Sequence, residues 1–278
     1  MAMTKVAILA GKGHLPRCFA QRAMAQGYGV VAIDLLGEID PELAQVANVS
    51  YSVPLGQWQM VIDTLKKEDI RDVYLLGGVS KGLLFSNLKL DDRILRLIAG
   101  LTEKNDNAII RAFVQDLAGE GIVVQPQTDL MDDALLGPGV LTTMAPDEHA
   151  WADIGYGLRI AKALAGLDIG QTVVVKDGAV LAVEAIDGTD ATISRGGGLA
   201  RGGGVAVKVA KPAQDMRFDV PTIGLDTIET AVAGGLQVVA LEAGKTIIVD
   251  AESVITRAND AGISIVLVEA EDTGVLRS

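Results

Sequence analysis

Residues 182–204 read AVEAIDGTDATISRGGGLARGGG, with Glu184, Asp187 and Asp190 followed by Arg195 and Arg201 among six glycines. Carboxylate oxygens at a strand end suit a hard cation such as Mg²⁺, and arginine forks clamp phosphate. Glu184 closes a β-rich run, and Thr189 and Asp190 follow a glycine turn. The glycine run between Arg195 and Arg201 has two readings, a mobile flap over a substrate or part of a solvated surface loop. A second dense stretch, KVAKPAQDMRFDVPTIGLDT, holds Lys208, Lys211, Gln214, Asp215, Arg217, Asp219, Asp226 and Thr227. Mixed charge of that density between two strands suits a site that handles a metal ion and phosphate together. Asp226 also has a purely structural reading: DTIE resembles a capping box, with Asp226 as N-cap and Glu229 at the third helical position.

Two further motifs lie in the first half. GKGHLP (residues 11–16) follows a strand and opens a helix, so Lys12, Gly13 and His14 could approach a phosphate at a helix N-terminus. The third glycine of a dinucleotide fingerprint is replaced by Pro16, and Asp34 is the one candidate for a ribose-binding acid. A tight structural turn explains the same residues. GGVSKG (residues 77–82) ends a predicted strand and offers Gly78, Ser80 and Lys81 at the edge where open parallel sheets bind ligands; a plain glycine turn is the competing reading. AGKT at 243–246 is no phosphate loop, because Val239 stands where the first glycine belongs. His14 and His149 are the only histidines, too few for a histidine-rich metal site.

The elements that must position these residues alternate in the first half. Strands at 5–10, 29–33, in DVYLLGGV and in IVVQPQ are separated by helical patterns at 17–26, in LGQWQMVIDTLKKEDI, DDRILRLIAGL and DNAIIRAFVQDLAGEG. That order predicts a parallel sheet covered by helices, a Rossmann-like N-terminal domain over residues 1–130. Residues 131–146 loosen into a linker with a short helix. The second half, 147–278, opens with a helix, then a hairpin about Asp177-Gly178. It continues as mixed α/β with an antiparallel part. No internal repeat is evident. The expected fold is α/β, two domains with the active site in the cleft between them.

The chain has 278 residues, 49% of them hydrophobic, so both halves can bury a core. Its net charge of -12 and aromatic content of 4% oppose general nucleic-acid binding. The single cysteine, Cys18, excludes a disulfide framework and reads as a small buried filler. The N-terminus reads as a first strand rather than a signal peptide, and no stretch reaches a membrane span of roughly 20 apolar residues. A reducing cytoplasm fits these features.

VLAVEAIDGTD, KVAKPAQDMRFDVPTIGLDTIE and LEAGKTIIVD closely resemble the LpxI family, the UDP-2,3-diacylglucosamine pyrophosphatases of lipid A biosynthesis. ILAGKGHLP and LLGGVSKG extend the resemblance over the whole chain. It implies a Mg²⁺-dependent hydrolase, with Mn²⁺ as a substitute, in which water attacks the α-phosphorus. The implied products are UMP and 2,3-diacylglucosamine 1-phosphate (lipid X). It further implies a homodimer working in the cytoplasm, in peripheral contact with the inner membrane. With the charge clustering, it makes Asp226 the first catalytic candidate, as metal ligand or orienter of water, followed by Asp190 and Glu184. Asp190, Asp226 and Asp219 become the metal-ligand candidates. Lys208, Lys211, Gln214, Arg217, Thr189, Thr227 and Arg195 are expected to hold phosphate or sugar oxygens, and Lys12, Gly13, His14, Gly78, Ser80 and Lys81 to line the N-terminal side. The family pattern leads one to expect proline where Leu225 stands and fewer glycines in 195–204. The competing classes are a nicotinamide-dependent oxidoreductase and a non-catalytic binder of nucleotide-sugars or lipids.

Overall fold

The run VAILA at 6–10 is buried on both faces, which suits an inner strand of a helix-covered parallel sheet. A computed structural model describes residues 3–37, 40–78, 89–101, 106–131 and 134–270. The chain divides into two compact units. Unit 1 is Met1–Met131 with Met216–Asp219, and unit 2 is Asp132–Asp215 with Val220–Ser278.

Unit 1 runs β1 (Lys5–Ala10), α1 (Leu15–Ala25), β2 (Gly29–Asp34), α2 (Pro41–Val46), β3 (Val49–Ser52), α3 (Trp58–Lys67), β4 (Asp72–Leu76), α4 (Asp92–Ala99), α5 (Asp106–Gly119) and β5 (Val123–Val124). Its sheet has the order β3-β2-β1-β4-β5 and is parallel throughout. The order reverses between β1 and β4, so the turns that leave those two strands are neighbours at the carboxyl edge. Helix α3 buries Trp58, Val61, Ile62 and Leu65 at helical spacing against Ile33, Val73 and Leu117. Phe218 joins this core from the second half of the chain, and the Gln127 amide donates to the Met216 carbonyl at 2.7 Å. Residues 41–52 carry little periodicity, and there the structure adds the short helix α2 and the half-buried edge strand β3.

A polar network ties three helices on the outside of unit 1. The Trp58 indole and Arg93 guanidinium both donate to Asp116 at 2.7 Å, and Glu120 accepts from Arg93 and Lys66. Lys66 and Arg93 together hold the Glu120 carboxyl down at about 2. Cys18 is half-buried, not the fully buried filler expected of it.

Unit 2 comprises β6 (Gly139–Val140), α6 (Glu148–Gly166), β7 (Thr172–Lys176), β8 (Ala179–Val183), α7 (Thr189–Ala200), β9 (Val205–Lys208), β10 (Thr222–Ile223), α8 (Leu225–Ala233), β11 (Val238–Glu242), β12 (Ile247–Ile248), α9 (Ala251–Ala261) and β13 (Ser264–Val268). Six strands form a mixed sheet in the order β6-β13-β11-β9-β7-β8, and β10 pairs with β12 separately. Strands β9, β11 and β13 are parallel, while β6, β7 and β8 supply the antiparallel pairs. The segment read as a linker thus contains β6, a strand of unit 2. The hairpin forms as expected: Asp177 and Gly178 both have positive φ, and their amides donate to the buried Asp153 carboxylate at 2.9 and 2.7 Å.

The glycine run departs from both of its readings. Residues 189–200 are helix α7, with Gly196 and Gly197 buried, so this stretch is neither flap nor loop. A Cβ on Gly196 would lie 2.4 Å from Val174 Cβ, and one on Gly197 only 2.5 Å from the Gly234 carbonyl oxygen. Glycine in a helix interior costs roughly 0.5–1 kcal/mol relative to alanine. Here it lets α7 seat directly on β7 and on the end of α8.

Candidate active site

Helices α7 and α8 lie side by side and point the same way. Near their starts, the Thr227 hydroxyl donates to Asp190 Oδ1 at 3.4 Å; near their ends, Gly197 faces Gly234. Both N-termini therefore present their positive ends to one region. Strand β9 delivers Lys208 there. This lysine is 7% exposed, and its ammonium donates to Thr189 Oγ1 at 3.0 Å and to the Thr222 carbonyl at 2.8 Å.

The same Thr189 hydroxyl donates to Glu184 Oε1 at 3.0 Å, and Glu184 Oε2 accepts from the Gln171 amide at 3.2 Å. A buried cation and a buried carboxylate thus share one hydroxyl at the first position of α7, each satisfied by further partners as burial requires. Asp190 and Asp226, by contrast, are exposed on the first turns of α7 and α8. The capping reading of Asp226 is corrected. Gly224 is the N-cap and offers no side chain, Asp226 sits one position inside the first helical residue, and Glu229 pairs with Arg257 at 2.6 and 2.9 Å. That pairing holds the Glu229 carboxyl below its ordinary range.

Chemically, two convergent helix N-termini and a buried ammonium suit a phosphate-bearing ligand. Mg²⁺ commonly takes one or two carboxylates, with waters and substrate phosphates completing its shell. Asp190 and Asp226 fit that role. An all-protein cage is not assembled: among the described residues no group of three or more His, Cys, Asp or Glu side chains is gathered as a metal site.

The other expected residues of unit 2 and of the segment 216–219 have local partners. Lys211 pairs with Asp168 at 2.7 Å, and Gln214 closes a turn onto Lys211 through its amide at 3.1 Å. Arg217 and Asp219 lie in the segment Met216–Asp219, which packs with unit 1 and is anchored by Phe218. Asp219 has φ 55, in the left-handed region. Arg195 donates through one guanidinium nitrogen to Asp187 at 2.8 Å and to the Val183 carbonyl at 3.1 Å.

In unit 1 the two glycine turns are stitched together. The Lys12 amide donates to the Gly78 carbonyl at 2.7 Å, and the Gly78 amide returns to Lys12 at 2.9 Å. A Cβ on Gly11 would sit 2.6 Å from the Gly78 carbonyl oxygen, and one on Gly77 2.6 Å from that of Lys12. Close backbone approach explains both glycines. Gly13 and His14 line an open depression of about 610 Å³ with Asp40, Pro41 and Glu42. Asp34 ends β2, is buried, and accepts from the Leu36 amide at 2.8 Å. Ser80 and Lys81 lie outside the described residues.

No motif marks Thr172 and Thr222, which border Lys208 and Thr189, or the buried pair Lys162 and Glu242. The signal for the last was present: Glu242 is the one charge in the run LQVVALEAG, and Lys162 interrupts an apolar stretch of α6.

The fold and this site define an α/β protein of two units, whose second unit gathers an anion-attracting centre beside two exposed carboxylates. The LpxI N-terminal domain family matches residues 5–134, and the LpxI C-terminal domain family matches residues 137–266. A protein of Caulobacter vibrioides named UDP-2,3-diacylglucosamine pyrophosphatase LpxI is 34% identical over 281 residues, covering 97% of this chain and 99% of its own length. The chain belongs to the LpxI family. Solved structures give only faint likeness. The biotin carboxylase domain of the Hydrogenobacter thermophilus 2-oxoglutarate carboxylase has a TM-score of 0.30 at 15% identity, covering 64% of this chain and 36% of that one. A Stenotrophomonas UDP-glucose 4-epimerase has a TM-score of 0.28 at 13% identity, covering 43% of this chain and 34% of that one. Neither carries an argument.

Proposed function

We propose that this protein hydrolyses the pyrophosphate bond of UDP-2,3-diacylglucosamine, giving UMP and 2,3-diacylglucosamine 1-phosphate. Membership of the LpxI family supports the reaction. The observation that carries the site assignment is the meeting of Lys208 and Thr189 at the paired N-termini of α7 and α8.

The water oxygen bonds to the α-phosphorus and gives up a proton to solvent, the bond from that phosphorus to the bridging oxygen breaks, and the bridging oxygen leaves on the lipid sugar phosphate. Lys208 and the two helix N-termini face the charge that grows on the phosphoryl oxygens. Thr189 fixes the ammonium by accepting from it, and Glu184 fixes Thr189 by accepting in turn. Asp190 and Asp226 would hold Mg²⁺ or Mn²⁺, which when bound offsets phosphoryl charge and acidifies a water. Asp226 is also assigned here to orient the attacking water. We further propose a homodimer. Peripheral contact with the cytoplasmic face of the inner membrane follows from a substrate whose two acyl chains reside in a bilayer. Among the described residues no helix is long and apolar enough to cross one.

Release of UMP from the purified substrate, with and without Mg²⁺, tests the reading. Hydrolysis in H₂¹⁸O should place the label in UMP; label in the lipid phosphate would overturn attack at the α-phosphorus. Asp226→Ala should fold normally and lose most of its turnover; near wild-type hydrolysis would sink the site assignment.

A further inference from the structure

Beyond the site itself, the end of β11 carries a charged cluster that acts on the neighbouring strand. Glu242 is 2% exposed. Its Oε2 accepts from the Ala210 amide at 2.7 Å, and its Oε1 accepts from Lys162 at 2.7 Å. Lys162 spans back to the same peptide segment, donating to the Ala210 carbonyl at 3.0 Å. Lys245 adds a second ammonium at 3.0 Å from Glu242. Both backbone groups of Ala210 are thereby held by side chains, one on β11 and one on α6.

Ala210 is two residues beyond Lys208 and one before Lys211. Strand pairing holds Lys208, which lies opposite Leu241, and the Val209 amide still donates to the Gln171 carbonyl at 3.0 Å. At Ala210, the next residue, both backbone groups are held by the Glu242–Lys162 pair instead. A buried ion pair is weak evidence for stability, since apolar side chains of similar volume often replace one at little cost. Its geometry here is directed at one peptide.

We infer that Glu242 and Lys162 are positioning residues for the reaction proposed above, clamping Ala210 so that Lys208 and the 211–214 turn meet the phosphoryl oxygens in register. The inference rests on that reading only for its effect on turnover; the clamp itself is a statement about backbone order. Misplacement of a positioned group by about 1 Å can cost 10²-fold in rate.

The test uses the full-length protein with the double substitution Glu242→Leu and Lys162→Met, which removes both charges together and fills their volume. Hydrogen exchange over 209–214 should rise at least about tenfold, kcat for UMP release should fall about 10–10²-fold, and KM should move less than threefold. Lys162→Arg, which keeps both donations, should retain most of kcat. Should the double variant not fold, Glu242→Gln replaces it; its single acceptor oxygen cannot take the place of both carboxylate oxygens, so the same changes are expected at smaller size. Unchanged exchange and unchanged kcat in a folded variant would overturn the clamp. Faster exchange in the variant, alongside a wild-type protein that releases no UMP, would uphold the clamp and overturn the proposed reaction.

Discussion

Glycine-rich stretches occur in both units, and they answer to different constraints. In unit 1, Gly11 and Gly77 let two turns touch backbone to backbone, so the main chain is tied down while the Lys12 side chain stays exposed. In unit 2, Gly196 and Gly197 lie inside a helix and set how closely α7 approaches β7 and α8. There the side chains are tied down: Lys208, Thr189 and Glu184 are each held by a partner. Glycine composition alone does not separate a mobile loop from a tight helix contact. The approach distances do.

The largest effect that would break the comparison is electrostatic. Lys208→Met removes a buried ammonium and keeps most of its volume. Hydrolysis should fall by about 10²–10³, as for loss of one preorganised charge-stabilising donor. Lys12→Met, at the exposed turn of unit 1, should cost less than about tenfold, near 1.4 kcal/mol. Steady-state UMP release reads both, with thermal melting to show that each variant folds. Equal losses would mean that Lys208 and Lys12 contribute alike.

The second test asks whether packing explains the glycine helix. Gly197→Ala drives a methyl into the Gly234 backbone and should cost about 1–3 kcal/mol, as overpacking does. Gly198 faces open space in the same helix. Gly198→Ala should therefore stabilise by roughly 0.5–1 kcal/mol through helix propensity. Urea unfolding measures both. Two values of the same sign would remove the packing explanation.

Much of this was legible from residues alone. The buried run at 6–10, the Asp177-Gly178 turn and the spacing of Trp58, Val61, Ile62 and Leu65 are local patterns, and the elements follow them. The family motifs brought out Glu184, Thr189, Asp190, Lys208 and Thr227, which unit 2 gathers. Three roles depend on contacts distant in sequence, even where, as for Glu242, the residue itself stands out. The helix at 189–200 needs Val174 and Gly234 to make sense of its glycines. The place of Arg217 and Asp219 depends on Phe218 entering the core of unit 1. Glu242 acquires meaning only beside Ala210, 32 residues earlier.

The smallest effect concerns Arg195, read from sequence as a phosphate clamp and found paired with Asp187. Arg195 donates to Asp187, and the Ala185 amide adds a second bond, so the Asp187 carboxyl is held below its ordinary value. A lowered carboxylate pKa stabilises the fold above the unfolded value, near 4, and that contribution is lost as pH falls through the lower folded value. Arg195→Ala should thus lower the melting temperature slightly at neutral pH, with the gap to wild type closing well below pH 4. Exposed pairs contribute about 0–1 kcal/mol, so the gap should be a few degrees at most and should shrink with salt. If instead the variant melts like wild type at every pH while UMP release collapses, Arg195 leaves Asp187 for the substrate during turnover. The phosphate-clamp reading would then return for the helix that glycines seat so tightly.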